Sequence, residues 1–346
     1  MNSPKTYDFD VSVCDVLDKE SLQAFREKHQ QWRSWMRFDP EHSVWKQIGK
    51  MLWNDVVFRS INEARRLAME NHWSAACLNG PLARFIDHGY VVSQVLSVRR
   101  LTDRPHKGTR PGRQVVSLGR VLDDLTTHRQ LITREHYVAH DGLPYDFEAV
   151  RDRFFEAAAR AGGVQSDYLD TKGPNAFDMA RTCHESFDRL SGVSAENRRR
   201  DDLIRPEVLE ALSAAIDKSG YGDVVEYGNK FIAHAADEHS RSSLSEDQRG
   251  ITLQKITECY MSLCQVAQAI SSIVLWDCSH GLVPTPQYDP FEHLDEPWLP
   301  REGVVSLIEI RKELVANVEA WTGGDQWDGF LRSITDPPAA AEKTKP

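Results

Sequence analysis

The chain has 346 residues, enough for one large domain or two ordinary ones, each with its own core. Hydrophobic residues make up 40% and charged residues 27%, a balance that is typical of globular proteins and excludes collagen-like, membrane-embedded and fully disordered chains. The 52 acidic and 42 basic side chains give a formal charge of -10, so a polyanion such as RNA has to be met by a local basic patch.

Residues 1–38 carry no export or membrane signal. Their start is acidic and polar, whereas a signal peptide has a basic start and an apolar run. No stretch of the chain reaches the roughly eighteen apolar residues of a bilayer span. The six cysteines are scattered without the spacing of a disulfide framework or a zinc site. We therefore expect a cytoplasmic protein without a membrane partner or a metal site, and treat 1–38 as an N-terminal extension.

Two long helices are predicted next. The first starts at Asp39, with Asp39 as N-cap and Pro40 in the first turn, and its apolar residues recur at helical spacing as far as Leu67. The second runs from Pro81 to Leu101 and ends before a turn-rich segment at 104–112.

Residues 99–113 form a basic segment with one acidic residue, Asp103. It carries a local charge of about +5 within an acidic protein. Arginine forks and lysines at the end of a helix can hold phosphate groups. Equally, the segment can be a solvated loop whose cations favour the helix C-terminus. The phosphate-binding candidates are Arg99, Arg100, Arg104, Lys107 and Arg110.

Helical periodicity continues through the rest of the chain, and strand signals are almost absent. A third long helix is predicted over 247–277. The sequence thus predicts an all-α protein, a long-helix bundle over 39–280 with additional peripheral helices. Shorter helices are predicted over 114–128, 130–138, 146–161, 175–191, 206–218, 221–236 and 303–320.

Beyond the bundle, residues 281–335 are predicted to form a proline-rich linker and a C-terminal helix that packs on the bundle. Residues 336–346 have no apolar face and are predicted to be a disordered tail.

A short motif lies at the end of the predicted helix 221–236. The segment Gly228-Asn229-Lys230-Phe231-Ile232-Ala233-His234 resembles the HEPN superfamily of all-α proteins, and looks like its AbiU2-type members, whose helix carries an Arg-Asn-Lys-x-x-Ala-His string. In HEPN ribonucleases that string supplies an arginine, a polar residue and a histidine, which from two facing protomers surround a phosphodiester. The resemblance assigns these roles to Asn229 and His234, but Gly228 occupies the arginine position.

Helix geometry gives Gly228 a structural explanation. At 100° per residue it shares a buried stripe with Val224 and Phe231, and a glycine there allows another helix to approach closely. His234 lies at the border of the stripe. Its imidazole can bond to a neighbouring helix, or it can contact a phosphate.

Two other groups of residues are weaker candidates for a functional site. Arg134 and His140 have a similar spacing, but they precede the turn at 141–144 and fit a helix end with cationic side chains. The four tryptophans of the N-terminal region fit core anchors better than base-stacking platforms. These are Trp32, Trp35, Trp45 and Trp53.

Three functions remain open. The first is a HEPN-like binding or regulatory module, connected by resemblance to defence or stress, which lacks a complete nuclease site. The second is a metal-independent ribonuclease in which His234 works with Arg99 or Arg100 from a neighbouring helix, at a two-fold interface between copies of the chain. The third is a structural subunit that binds a protein through its C-terminal stretch. The expected partners are RNA or a protein, and no small-molecule cofactor is predicted.

Overall fold

The computed structural model describes residues 7–71, 79–104, 115–163, 173–234, 236–277, 281–293 and 301–322, together with 296, 325 and 328. These residues are predominantly helical and contain no β-strand, apart from an isolated antiparallel bridge between Thr133 and Leu203. The predicted all-α class is confirmed.

The described part of the chain contains twelve α-helices, several of which end in a π-helical or 3₁₀ turn. They are α1 (Lys19–Arg33), α2 (Val44–Glu70), α3 (Gly80–Thr102), α4 (Leu118–Thr127), α5 (Arg134–Ala139), α6 (Phe147–Ala161), α7 (Pro174–Ser191), α8 (Pro206–Asp217), α9 (Tyr221–Tyr227), α10 (Glu238–Ser242), α11 (Leu253–Ala269) and α12 (Arg301–Glu319).

The chain divides into two compact units. The first consists of residues 1–64 and 78–285 and contains the main hydrophobic core, together with α1, most of α2, and α3 to α11. The second consists of 65–77 and 286–346, and its described part includes α12. The predicted docking of the C-terminal helix on the bundle stays a prediction, and the predicted tail at 336–346 lies outside the described residues. None of the helices in the described ranges combines the length and the apolar character needed to cross a bilayer.

Helix α1 lies in the N-terminal extension, for which no helix is predicted. Asp18 caps this helix by accepting hydrogen bonds from the backbone N–H groups of Glu20 and Ser21. Leu22 and Trp32 on its inner face are fully buried in the main core. Residues 1–38 therefore contribute side chains to the same core as the bundle.

Helix α2 begins at Val44, five residues after the predicted N-cap. Asp39 instead closes the preceding turn, because its carboxylate accepts from the backbone N–H groups of Glu41 and His42. Ser43 Oγ then accepts from Lys46 N at 3.3 Å, as an N-cap side chain does.

The tryptophans belong to the protein interior, as predicted. Trp32, Trp35 and Trp45 are buried, and Trp53 is half-buried. The indole N–H of Trp32 donates to Asp124 at 2.7 Å. Their burial leaves these three rings unavailable for stacking on a base.

The elements that carry the motif residues pack together. Helix α3 lies against α4 on one side and against α9 and the turn that follows α9 on another, while α11 contacts both α3 and α9. This arrangement brings the C-terminal end of α3, with its arginines, next to the motif.

Candidate functional site

The arginines at the end of α3 have different environments. Arg99 is half-buried and Arg100 is exposed, both in the last turn of the helix. Arg104, just after the helix, forms an ion pair of 2.5 Å with Asp123 and donates to Ser213 Oγ at 2.7 Å. These two contacts give Arg104 a role in holding α3, α4 and α8 together. Lys107 and Arg110 lie outside the described residues.

The motif helix is not a regular α-helix. Helix α9 ends at Tyr227, and the chain continues as a π-helical turn from Gly228 to Ala233. At His234 the backbone becomes extended, with φ -132° and ψ 139°. The predicted helix 221–236 is therefore too long, because the chain leaves it at His234 to enter α10, which Asp237 caps.

Gly228 has the role that its position on the helix predicts. It is buried, and a β-carbon added to it would lie 2.6 Å from Cγ1 of Val95 on α3. Carbon atoms in van der Waals contact are about 3.5 to 4.0 Å apart, so this position has room for a glycine only. The close approach of the two helices is thus the reason for the glycine.

An open depression of about 490 Å³ lies beside this contact. It joins the end of α3 to the π-helical turn and to α10, and polar groups dominate its lining. The lining residues are Arg99, Glu226, Asn229, Lys230, His234, Ala236 and Ser240. Three motif residues, Asn229, Lys230 and His234, therefore share one site with Arg99, whereas Arg100 is not among its lining residues.

The imidazole of His234 is open to solvent. The residue is exposed, and no hydrogen bond or ion pair to it is found within the described part of the chain. The interpretation of His234 as a histidine satisfied by a neighbouring helix is therefore not supported. An exposed imidazole beside a guanidinium can bind a phosphate oxygen or exchange a proton with a bound hydroxyl.

Lys230 is the second cationic side chain that lines the depression, after Arg99. It is not among the site residues that the sequence predicts. Its Nζ donates to Ser240 Oγ at 2.6 Å and lies 3.6 Å from a carboxylate oxygen of Glu226. These contacts orient the ammonium group and compensate part of its charge. The i, i+4 spacing of Glu226 and Lys230 was the available signal for the pair.

The Arg134–His140 pair is not a second site of this kind. Arg134 lies at the N-terminus of α5 rather than at a helix C-terminus, and its side chain is fully buried among acidic partners. His140 is half-buried at the other end of the same helix. The guanidinium of Arg134 and the imidazole of His140 therefore have different surroundings and cannot bind the same ligand.

No cluster of three or more histidine, cysteine, aspartate or glutamate side chains with the proximity of metal ligands occurs among the described residues. Cys14, Cys183, Cys259 and Cys264 are free and buried.

Comparisons with models of known protein families, with curated proteins and with solved structures found no match for this chain. The resemblance to the HEPN superfamily therefore rests on the motif residues and the helical fold class.

Proposed function

We propose that this protein is a HEPN-like RNA-binding protein, and that the depression between α3 and α10 binds and cleaves single-stranded RNA with protein side chains alone. One observation carries the proposal: Arg99, Asn229 and His234, which come from two separate helices, line the same open depression. This placement offers a guanidinium at the site although Gly228 occupies the arginine position of the motif.

The groups suit cleavage by the 2′-hydroxyl of the RNA itself. His234 accepts the proton of that hydroxyl as its oxygen bonds to the adjacent phosphorus. The bond from phosphorus to the 5′-oxygen breaks, and this oxygen takes up a proton from water. The products are a 2′,3′-cyclic phosphate and a 5′-hydroxyl. The guanidinium of Arg99 forms paired hydrogen bonds with the phosphate and stabilises the charge that builds up on it.

A second candidate function is binding without cleavage. Gly228 favours it, because the motif helix itself supplies no guanidinium next to His234. A regulatory module of this kind would bind RNA through Arg99 and Lys230 and leave it intact.

The test uses a labelled single-stranded RNA and the full-length protein, in the presence of EDTA. Wild-type protein should release a fragment that ends in a 2′,3′-cyclic phosphate. Replacement of His234 by alanine should reduce the cleavage rate by about 10² to 10⁴-fold, the usual contribution of a general base. Arg99→Ala should lower both the cleavage rate and the affinity for RNA.

Two variants serve as matched controls. His239→Ala removes an exposed histidine of α10, and Arg100→Ala removes the exposed arginine beside Arg99. Neither residue lines the depression, so both variants should cleave like the wild type. An RNA with 2′-O-methyl groups should bind but remain uncut. Salt-dependent binding of RNA without any cleavage would contradict the ribonuclease and support the module.

A further inference from the structure

Gly228 and Val95 are in close contact between α3 and the π-helical turn that follows α9. A β-carbon at position 228 would lie 2.6 Å from Cγ1 of Val95, and both residues are buried. A methyl group at Gly228 would have to push the π-helical turn away from α3 or turn Val95 out of its place. The glycine therefore fixes the spacing of these two segments.

The distance between α3 and the π-helical turn affects the residues that line the depression. Arg99 follows Val95 by four residues on α3, so it lies one turn further along the same face of the helix. On the other side, Asn229 follows Gly228 directly. The contact between Gly228 and Val95 thus lies directly before Asn229 and one helical turn before Arg99, two residues that line the site.

The π-helical turn has a second effect on the same residues. In a regular α-helix, positions 229 and 234 would lie about 140° apart around the axis. In π-helical geometry, residues five positions apart come close to lying one above the other, as the i to i+5 hydrogen bonds require. The turn from Gly228 to Ala233 therefore reduces the angle between its two ends, and Asn229 within the turn and His234 directly after it line one depression.

We infer that Gly228 is a positioning residue that sets the distance between the guanidinium of Arg99 and the imidazole of His234. This inference rests on the proposed function. In this protein the glycine takes the place of the motif arginine because the cation comes from α3, and only a glycine lets α3 approach closely enough.

The experiment measures kcat and KM for RNA cleavage by Gly228→Ala. The added methyl group should lower kcat at least tenfold, since small displacements of catalytic groups have large effects on rate, and should change KM less than threefold. The matched control is Gly222→Ala on the same helix, where a β-carbon would meet no atom within 4 Å. This control should keep wild-type kcat.

Two further variants test whether the loss of kcat in Gly228→Ala arises from the contact with Val95 and whether it acts through Arg99. Val95→Ala in the Gly228→Ala protein removes the atom that the new methyl group meets, and should restore kcat to within about threefold of the Val95→Ala protein. In an Arg99→Ala background, Gly228→Ala should reduce kcat no further, because its effect passes through Arg99. A purely structural defect would reduce kcat in both backgrounds.

The outcomes separate this inference from the proposed function. Absence of RNA cleavage by the wild-type protein would contradict the proposed function, and it would contradict the inference about Gly228 as well. Cleavage by the wild type that Gly228→Ala leaves unchanged contradicts the inference alone, and so does a loss in Gly228→Ala that Val95→Ala fails to reverse. If Gly228→Ala does not fold, Val95→Ile crowds the same contact from the other side and should lower kcat in the same way.

Discussion

Arg134 donates a hydrogen bond of 2.7 Å to a carboxylate oxygen of Asp188 from a side chain that has no exposed surface. Its Nε donates to Asp202 at 2.8 Å, and its remaining N–H groups reach Ser191 Oγ and the backbone carbonyl of His184. The guanidinium is thus paired on every side. It connects α5 to α7 and to the segment before α8.

Arg134→Ala should destabilise the protein by about 3 to 5 kcal/mol, because it leaves the carboxylate of Asp202, which is 10% exposed, without its cation. The free energy of unfolding in urea measures the loss. The control is Arg160→Ala, which breaks an exposed pair with Glu156 and should cost less than about 1 kcal/mol. Equal losses in the two variants would show that the buried network does not stabilise the fold.

Gly119→Ala should destabilise the protein by about 1 to 3 kcal/mol. A β-carbon at this position in α4 would lie 2.8 Å from the backbone carbonyl oxygens of Thr102 and Asp103. Backbone atoms cannot swing aside as a flexible side chain can. Gly89→Ala on α3 is the control, because a β-carbon there meets no atom within 4 Å and alanine has the higher helix propensity. Thermal unfolding of both variants should show a lower Tm for Gly119→Ala only.

Acid should destabilise the protein through two histidines, His29, which is buried, and His140, which is half-buried. The rings of His29 and His140 are 4.9 Å apart, and burial lowers the pKa of His140 to about 4 and that of His29 well below its usual value. The unfolded chain takes up these protons below about pH 6.5, while the folded protein does not. Stability is therefore present at pH 7 and is lost as the pH falls toward 4.

The contribution of His140 to this loss between pH 7 and pH 5 should be about 2 kcal/mol. His140→Gln should flatten the pH dependence of the free energy of unfolding by that amount. His239→Gln, which changes an exposed histidine, should leave the dependence as it is in the wild type. A His140→Gln protein with the wild-type pH dependence would contradict the assignment.

Glu226→Gln should strengthen RNA binding a few-fold if the depression is the RNA site. Glu226 lines the depression and lies 3.6 Å from Lys230 Nζ, so its carboxylate competes with phosphate for that cation. Glu258→Gln on α11 removes an exposed carboxylate outside the depression and provides the control. Titration of labelled RNA at low salt measures both affinities. Weaker or unchanged binding by Glu226→Gln would indicate that RNA binds elsewhere.

Helical periodicity was sufficient to find most of the bundle. The predicted helices at 81–101, 146–161, 175–191 and 206–218 differ from the observed ones by at most one residue at each end, because each has a regular apolar stripe and a clear stop. Helix α1 was missed although its buried residues are correctly spaced, because two of them, Arg26 and His29, are polar. Their burial depends on partners far along the chain, among them the backbone carbonyls of His140 and Leu275.

Residue types and their spacing along single helices were enough to predict the helical fold class, the motif and the buried position of Gly228. The tertiary structure decided that the imidazole of His234 faces solvent and that Arg99 lines the same depression, because the two lie 135 positions apart and only the packing of α3 against the motif helix brings them together. The π-helical turn from Gly228 to Ala233 also appears only in the structure, because the apolar spacing of this segment predicts a regular α-helix.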